Sequence, residues 1–316
     1  MRHGAVDQAA FSAMSLGFVA TKPIQIITSM ILARQFSPRR CGLCVVPLFA
    51  DASGFLRRVR DDRAPFDSVT SAHSRASAII SQALGHDRVL IDSDVGAKST
   101  AAMWLAHRLR PRVRFALYEE GTSLFDPLPI ERPSDLHVRL GATARMGTGA
   151  LTEEVWTYSP EDLRAKLATT PVRQIETSVS VFVLEHHAHL ARLFWPSRDE
   201  DTRHWRGTRC CVYLSSYQVD KRALAYLKRS SAYTVLKLHP HFRSDSVAAE
   251  AQVDQRVPAG IPAELIVYAL AATFDSVEVL HDGSTIERYV QAPNVRFVRT
   301  DTLTALPTEP TSTPPS

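Results

Sequence analysis

The chain has 316 residues, enough for one large or two medium domains at about 100–200 residues each. Its content of 45% hydrophobic and 22% charged residues is that of an ordinary globular protein with a sizeable core. A formal charge of +4 is too small to call for nucleic acid, so none is expected as a partner; it suits an anionic ligand or an acidic membrane surface.

The N-terminus "MRHGAVDQAAFSAM" lacks the pattern of a secretory leader. No run of about 20 uncharged apolar residues reads as a membrane span, so a cytoplasmic location is expected. The first elements are a strand in "SLGFVAT" and a helix in "KPIQIITSMILARQF", whose apolar residues recur at helical spacing. "GLCVVPLF" is a strand. It contains Cys44 and follows Cys41, a pair with redox or zinc half-site spacing that runs straight into apolar residues. Both, with Cys210 and Cys211, read as free buried thiols in a reducing compartment. "DSVTSAHSRASAIISQAL" is predicted helical, "DRVLIDSDV" a strand, "STAAMWLAHRLR" a helix ending before Pro111, and "RVRFALY" a strand. This β-α-β rhythm predicts a parallel sheet with helices on both faces.

"RLGATARMGTGA" is glycine-rich without GxGxxG order. It reads as a mobile loop on the acceptor side, not a dinucleotide site. His186, His187 and His189 cluster in "LEHHAHL" but form neither an i,i+4 pair nor HExxH, so no metal is expected there. "RRVRDDR" reads as a solvated helix face. The polar stretch "FWPSRDEDTRHWRGTR" reads as the link between domains. The rhythm then restarts: strand "CCVYLSS", helix "DKRALAYLKRS", strand "AYTVLKLH", helix "PAELIVYALAATF" with Pro262 at its start, and strands "SVEVLHD" and "NVRFVRT". The tail "TALPTEPTSTPPS" is expected to be disordered. The predicted organisation is an N-terminal domain over 1–200, a C-terminal domain over 201–302 and a tail over 303–316.

Ligands of open α/β sheets sit outside the carboxyl ends of the strands, and three such ends carry unusual chemistry. "FALYEEGTSL" ends in Glu119, Glu120 and Gly121. Two adjacent carboxylates in a half-dry cleft push one pKa up, which suits a general base for a hydroxyl; the plain reading is an exposed pair closing a strand. Gly121 allows a sharp turn or close approach to a ligand. "LKLHPHFR" places His239 before Pro240, where it can serve a phosphate, with His241 and Arg243 adding charge; the plain reading is a structural histidine. "HDGSTIERY" sets Gly283, Ser284 and Thr285 before a helix, an anion site or simply an N-cap. Glu264, in the first helical turn after Pro262 and Ala263, can hold a ribose diol or only complement the helix dipole.

Taken in order, these segments resemble the bacterial sialyltransferases of GT-B fold, in particular the polysialyltransferase and lipooligosaccharide sialyltransferase families. Glu119-Glu120-Gly121 resembles their acidic motif. His239-Pro240 and Ser284-Thr285 resemble their His-Pro and Ser-Ser/Thr motifs. "ATKPIQIITSMIL", "IPAELIVYAL" and "VYLSSYQVD" resemble their first strand and helix, the helix before the Ser-rich motif, and the first strand and loop of the nucleotide domain, which here contains Ser215. The likeness runs over roughly residues 14 to 300. It departs at Thr285 and at His241, where a basic residue would directly follow His-Pro and Arg243 is left to supply the charge.

The resemblance implies an α/β protein of GT-B fold, two Rossmann-like doubly wound domains facing across a cleft. It implies inverting, metal-independent transfer of sialic acid or a related nonulosonate from a CMP-sugar to a glycan or lipid-linked glycan, with no cofactor beyond the CMP-sugar donor. Glu119 or Glu120 would be the base. His239 would serve the leaving phosphate with Ser284 and Thr285, and Pro262, Ala263 and Glu264 would hold the cytidine. A basic enzyme acting on a lipid-linked acceptor could also touch the inner membrane leaflet. Two other expectations compete: a GT-B enzyme using CMP-Kdo or a UDP-sugar, and a non-catalytic sugar-nucleotide-binding protein of a polysaccharide assembly.

Overall fold

The computed structural model describes residues 11–62, 65–119, 121, 124–125, 142–143, 145–241 and 251–303. Within them the chain builds two sheets. The first has β1 (Ser15–Ala20), β2 (Arg40–Val45), β3 (Ser68–Ser71), β4 (Arg88–Ile91), β5 (Arg114–Tyr118), β6 (Thr152–Thr157) and β7 (Val172–Gln174), in the order β3-β2-β1-β4-β5-β6-β7. The second has β8 (Arg209–Leu214), β9 (Tyr233–Lys237), β10 (Gln255–Val257), β11 (Ser276–His281) and β12 (Val295–Arg299), in the order β10-β9-β8-β11-β12. Neighbouring strands run parallel throughout both sheets. Parallel strands need both faces covered, which is why β1, "SLGFVA", is buried along its whole length.

Crossover helices provide the cover. In the first lobe α1 (Pro23–Phe36), α2 (Ala52–Asp62), α3 (Arg75–Gly85) and α4 (Ala97–Leu109) follow β1 to β4 in turn. α5 (Pro160–Arg164) links β6 to β7, and α6 (Val179–Glu185), α7 (His187–Phe194) and α8 (Arg198–Thr202) lead to the second lobe. There α9 (Lys221–Arg229), α10 (Ala263–Thr273) and α11 (Ile286–Tyr289) follow β8, β10 and β11. The strand order reverses between β1 and β4 in one sheet and between β8 and β11 in the other, so each lobe is doubly wound. Two Rossmann-like lobes facing across a cleft make this a GT-B fold. Among the described residues no helix is long and apolar enough to cross a membrane.

Several expectations change. The helix expected over 67–84 is split: Val69 and Thr70 pair with β2 as β3, and the helix starts only after Ser74, whose Oγ accepts the Ser77 N–H at 3.1 Å. The edge strands β7 and β10 are only three residues long and carry little alternation to read. β6, also unread, follows the glycine-rich stretch. Within that loop, residues 147–149 are anchored by hydrogen bonds. Buried Asp94 accepts from Gly147 N (3.1 Å), Gly149 N (2.9 Å) and Thr152 Oγ1 (2.8 Å). The polar stretch 194–209 is also more than a link. Phe55 stacks on Phe194 at 4.6 Å, Trp195 lies 5.9 Å from Trp205, and Trp205 lies 6.1 Å from Phe274. That aromatic chain carries one apolar core from lobe to lobe. The expected tail falls outside the described residues from 304 onward.

All four cysteines are free and buried. Cys41 and Cys44 belong to cores on opposite faces of the first sheet, as do Cys210 and Cys211 in the second, so neither pair converges. Burial raises all four thiol pKa values, Cys210 to about 12.

Candidate functional site

A cavity of about 420 Å³ opens at the carboxyl ends of both sheets, at the two points where strand order reverses. That volume is within the range of small-molecule sites, roughly 300–1,000 Å³. From the first lobe come Lys22, Pro23 and Ile24 after β1, and Gly121 after β5. From the second come Ser215 to Tyr217 after β8, Lys237, His239 and Pro240 at the end of β9, Pro262 to Glu264 at the start of α10, and Asp282 to Thr285 after β11. The cavity therefore unites Gly121, Ser215, His239, Pro240, Pro262, Ala263, Glu264, Gly283, Ser284 and Thr285. Glu120 and Arg243 lie outside the described residues.

The first-lobe wall is braced from below. Asp92, fully buried at the end of β4, takes a two-pronged pair from Arg75 at 2.9 and 2.7 Å. The same carboxylate accepts from Thr21 Oγ1 (3.1 Å) and Gln25 Nε2 (3.2 Å). Gln25 Oε1 in turn accepts from the Thr21 and Lys22 backbone N–H groups at 2.5 and 3.0 Å. Pro23 opens α1, where its missing N–H leaves no orphan.

Glu119 is not on the cavity wall. It is buried at the end of β5, and both oxygens are occupied. Oε2 accepts from Thr157 Oγ1 (2.5 Å) and Tyr158 N (2.9 Å); Oε1 accepts from Tyr289 Oη (2.6 Å). Burial raises its pKa against the lowering effect of these donors and of Arg288. Gly121 has φ of 144°, a conformation that side chains resist, and space around it is open.

His239 sits where β9 meets the cavity. Its backbone N–H donates to Ser215 Oγ at 3.1 Å, and its Nδ1 accepts the His241 N–H at 3.2 Å. An accepting Nδ1 places the neutral ring's proton on Nε2, leaving that N–H for a ligand. Burial, then the charges of His241, Lys22 and Lys237, lower its pKa to about 4. At neutral pH it is a hydrogen-bond donor and not an imidazolium. Tyr217, 63% exposed, lies against it at 4.1 Å between ring centroids.

Lys237 and Glu264 are buried under the same cavity. Lys237 Nζ donates to the carbonyls of Leu238 (3.1 Å) and Ala259 (3.3 Å), and burial pulls its pKa down to about 8. Burial raises Glu264, opposed by its own N–H and by Lys237. Asp282 organises the far wall: it accepts from Tyr213 Oη (2.8 Å), Ser216 N (3.0 Å) and Thr300 Oγ1 (2.6 Å). Gly283 has φ of 78°, and Ser284 N donates to His281 Nδ1 at 3.2 Å. The helix expected after Thr285 is a single turn, so any anion held here relies on local N–H groups and hydroxyls, not on a long helix dipole.

Lys22, Lys237, Tyr217 and Tyr289 escaped the sequence reading. Only Lys237 left a signal, as a lone cation inside the apolar strand "YTVLK". The histidine trio diverges: His186 contacts Arg34, His187 Nε2 lies 3.4 Å from the Leu265 carbonyl, and His189 pairs with Asp62 at 3.3 Å. Among the described residues no three His, Cys, Asp or Glu side chains are grouped as a metal site requires.

No protein-family model and no curated protein matches the chain. Among solved structures it is similar to UDP-GlcNAc 2-epimerase from Neisseria meningitidis bound to UDP-GlcNAc, with 14% identity, 91% of this chain and 88% of that chain covered, and a TM-score of 0.47. It is similar to UDP-N-acetylglucosamine 2-epimerase from Rickettsia bellii at 12% identity, with 87% and 75% covered and a TM-score of 0.49. It is also similar to the wall teichoic acid polymerase TagF soaked with CDPG at 10% identity, with 86% and 66% covered and a TM-score of 0.46.

Proposed function

We propose that the protein is an inverting glycosyltransferase that moves sialic acid or a related nonulosonate from a CMP-sugar to a hydroxyl of a glycan or lipid-linked glycan. The observation that carries this reading is the single cavity that receives Gly121, beside the acidic pair, from one lobe and His239, Glu264, Ser284 and Thr285 from the other.

In the reaction the acceptor oxygen bonds to the anomeric carbon and its proton passes to a carboxylate. With both oxygens of Glu119 occupied, we assign that base to Glu120. The bond from the anomeric carbon to the phosphate oxygen breaks through an oxocarbenium-like state, and CMP departs with the electron pair. His239 donates from Nε2–H to the phosphate, and the Ser284 and Thr285 hydroxyls stabilise the charge it gains. Glu264, with Pro262 and Ala263, holds the cytidine.

The test is release of CMP from CMP-sialic acid and from CMP-Kdo, with and without a glycan acceptor, beside thermal shifts with CMP, UDP and GDP. A ligand at 100 times its Kd should stabilise the fold by about 2.7 kcal/mol. Stabilisation by UDP alone moves the reading to another nucleotide sugar. Binding of CMP-sugars without hydrolysis or transfer makes the protein a non-catalytic sugar-nucleotide binder.

A further inference from the structure

We infer that Tyr289 is a positioning residue that pins the end of β5, at Glu119, to the Ser284-Thr285 segment of the other lobe. The kinetic part of this inference rests on the proposed transfer reaction; its structural part does not.

Tyr289 is four positions beyond Thr285, at the end of the one-turn helix α11, and Glu119 immediately precedes Glu120 and Gly121. Both side chains are almost fully buried, at 3% and 2% exposure. The Tyr289 hydroxyl is the second lobe's donor to Glu119, whereas Thr157 and Tyr158 N approach from the first lobe. The Tyr289 ring packs edge-on against Tyr158 at 5.6 Å, and Tyr158 Oη donates to Thr28 on α1 at 3.1 Å. The Tyr289–Glu119 hydrogen bond thus ties the end of β5 to the segment after β11, beside the Arg288–Asp162 pair at 3.2 Å from the same helix. A displacement of about 1 Å at such a point can cost up to about 100-fold in rate.

The experiment compares Tyr289→Phe with Thr157→Val, which removes a donor to the same carboxylate from within the first lobe. Transfer kinetics, CMP affinity and hydrogen exchange at the Tyr158 amide are measured for each. For Tyr289→Phe we expect kcat to fall about 10- to 100-fold with the Kd for CMP within about two-fold, and Tyr158 exchange to accelerate about ten-fold. Thr157→Val, at equal or greater loss of stability, should lower kcat less. If kcat and Tyr158 exchange in Tyr289→Phe both stay within two-fold of wild type, or if kcat tracks stability equally in the two variants, the pin is overturned. If the wild type transfers nothing from any CMP-sugar, the functional reading falls, and Tyr158 exchange alone decides the pin. Should Tyr289→Phe fail to fold, Glu119→Gln at the other end of the bond carries the same exchange test.

Discussion

The Tyr289 hydroxyl donates to Glu119 Oε1 at 2.6 Å, joining residues 170 positions apart that belong to different lobes. This bond separates two carboxylates that are indistinguishable as neighbours in the sequence. One is a buried acceptor with three donors; its neighbour is assigned the proton transfer.

The two glutamates should therefore respond differently to removal of charge. Glu120→Gln is expected to lower transfer by about 100- to 10,000-fold with CMP binding retained, because it removes the proposed general base. Glu119→Gln should cost about 1–2 kcal/mol of stability, since an amide group cannot accept all three donors, and should lower transfer less than Glu120→Gln does. Burial raises the Glu119 pKa above its ordinary 4.5, so wild-type stability declines as pH rises through the raised value, and the glutamine variant lacks that decline. The advantage of wild type over Glu119→Gln, read by denaturant titration, should shrink with increasing pH. An equal collapse of activity in both variants at unchanged stability would refute the division of roles.

His239 makes a prediction about pH. Its pKa in the fold is about 4, below the ordinary 6.5, so it binds fewer protons folded than unfolded. Stability from this residue is complete above pH 6.5 and is lost as pH falls from there towards 4. NMR titration should find the ring neutral with its proton on Nε2 down to about pH 5. His239→Gln should flatten this part of the stability profile and reduce turnover. A ring titrating near 6.5 would show the burial argument to be wrong.

Asp92 carries the first-lobe wall. Its side chain is inaccessible to solvent while Arg75 keeps 34% of its surface, so loss of the carboxylate leaves a cation that water can still reach. Asp92→Asn should cost about 2–3 kcal/mol, less than stranding a fully buried partner. Thr21 and Lys22 would lose their brace, and affinity for the donor sugar nucleotide should drop with stability. Calorimetric binding beside thermal unfolding reads both.

The lobes also approach closely at Gly260. A Cβ there would sit 2.1 Å from the Ala50 carbonyl oxygen, a backbone atom with no rotamer to escape into. The neighbouring Ala50 N–H donates to the Pro240 carbonyl at 3.1 Å, directly after His239. Gly260→Ala should destabilise by about 1–3 kcal/mol through overpacking. Because the strain falls beside His-Pro, activity should decline more than CMP binding to the second lobe. Unchanged chemical denaturation of this variant would contradict the close approach.

Periodicity and strand-end chemistry were legible because they are local. The apolar runs of β1, β5, β8, β9 and β11 and the helical spacing of α1, α4 and α10 follow from covering a parallel sheet on both faces. Chemistry concentrated after those runs, at Gly121, His239 and Ser284, pointed to one rim. Short edge strands such as β7 and β10 were not legible, because three residues hold too little pattern to distinguish from a loop.

What the chain order alone settled was the class of architecture and the strand ends at which the unusual chemistry gathers, since both follow from interactions within a few residues of one another. Only the tertiary structure decided which of those groups face the cavity. Glu119 is withdrawn by a tyrosine from the other lobe, the His239 tautomer is chosen by a backbone N–H, and Lys237 acquires its lowered pKa from burial, against the opposing pull of Glu264. Each is a consequence of desolvation and long-range hydrogen bonding, and those forces come into being only when distant segments close over one another.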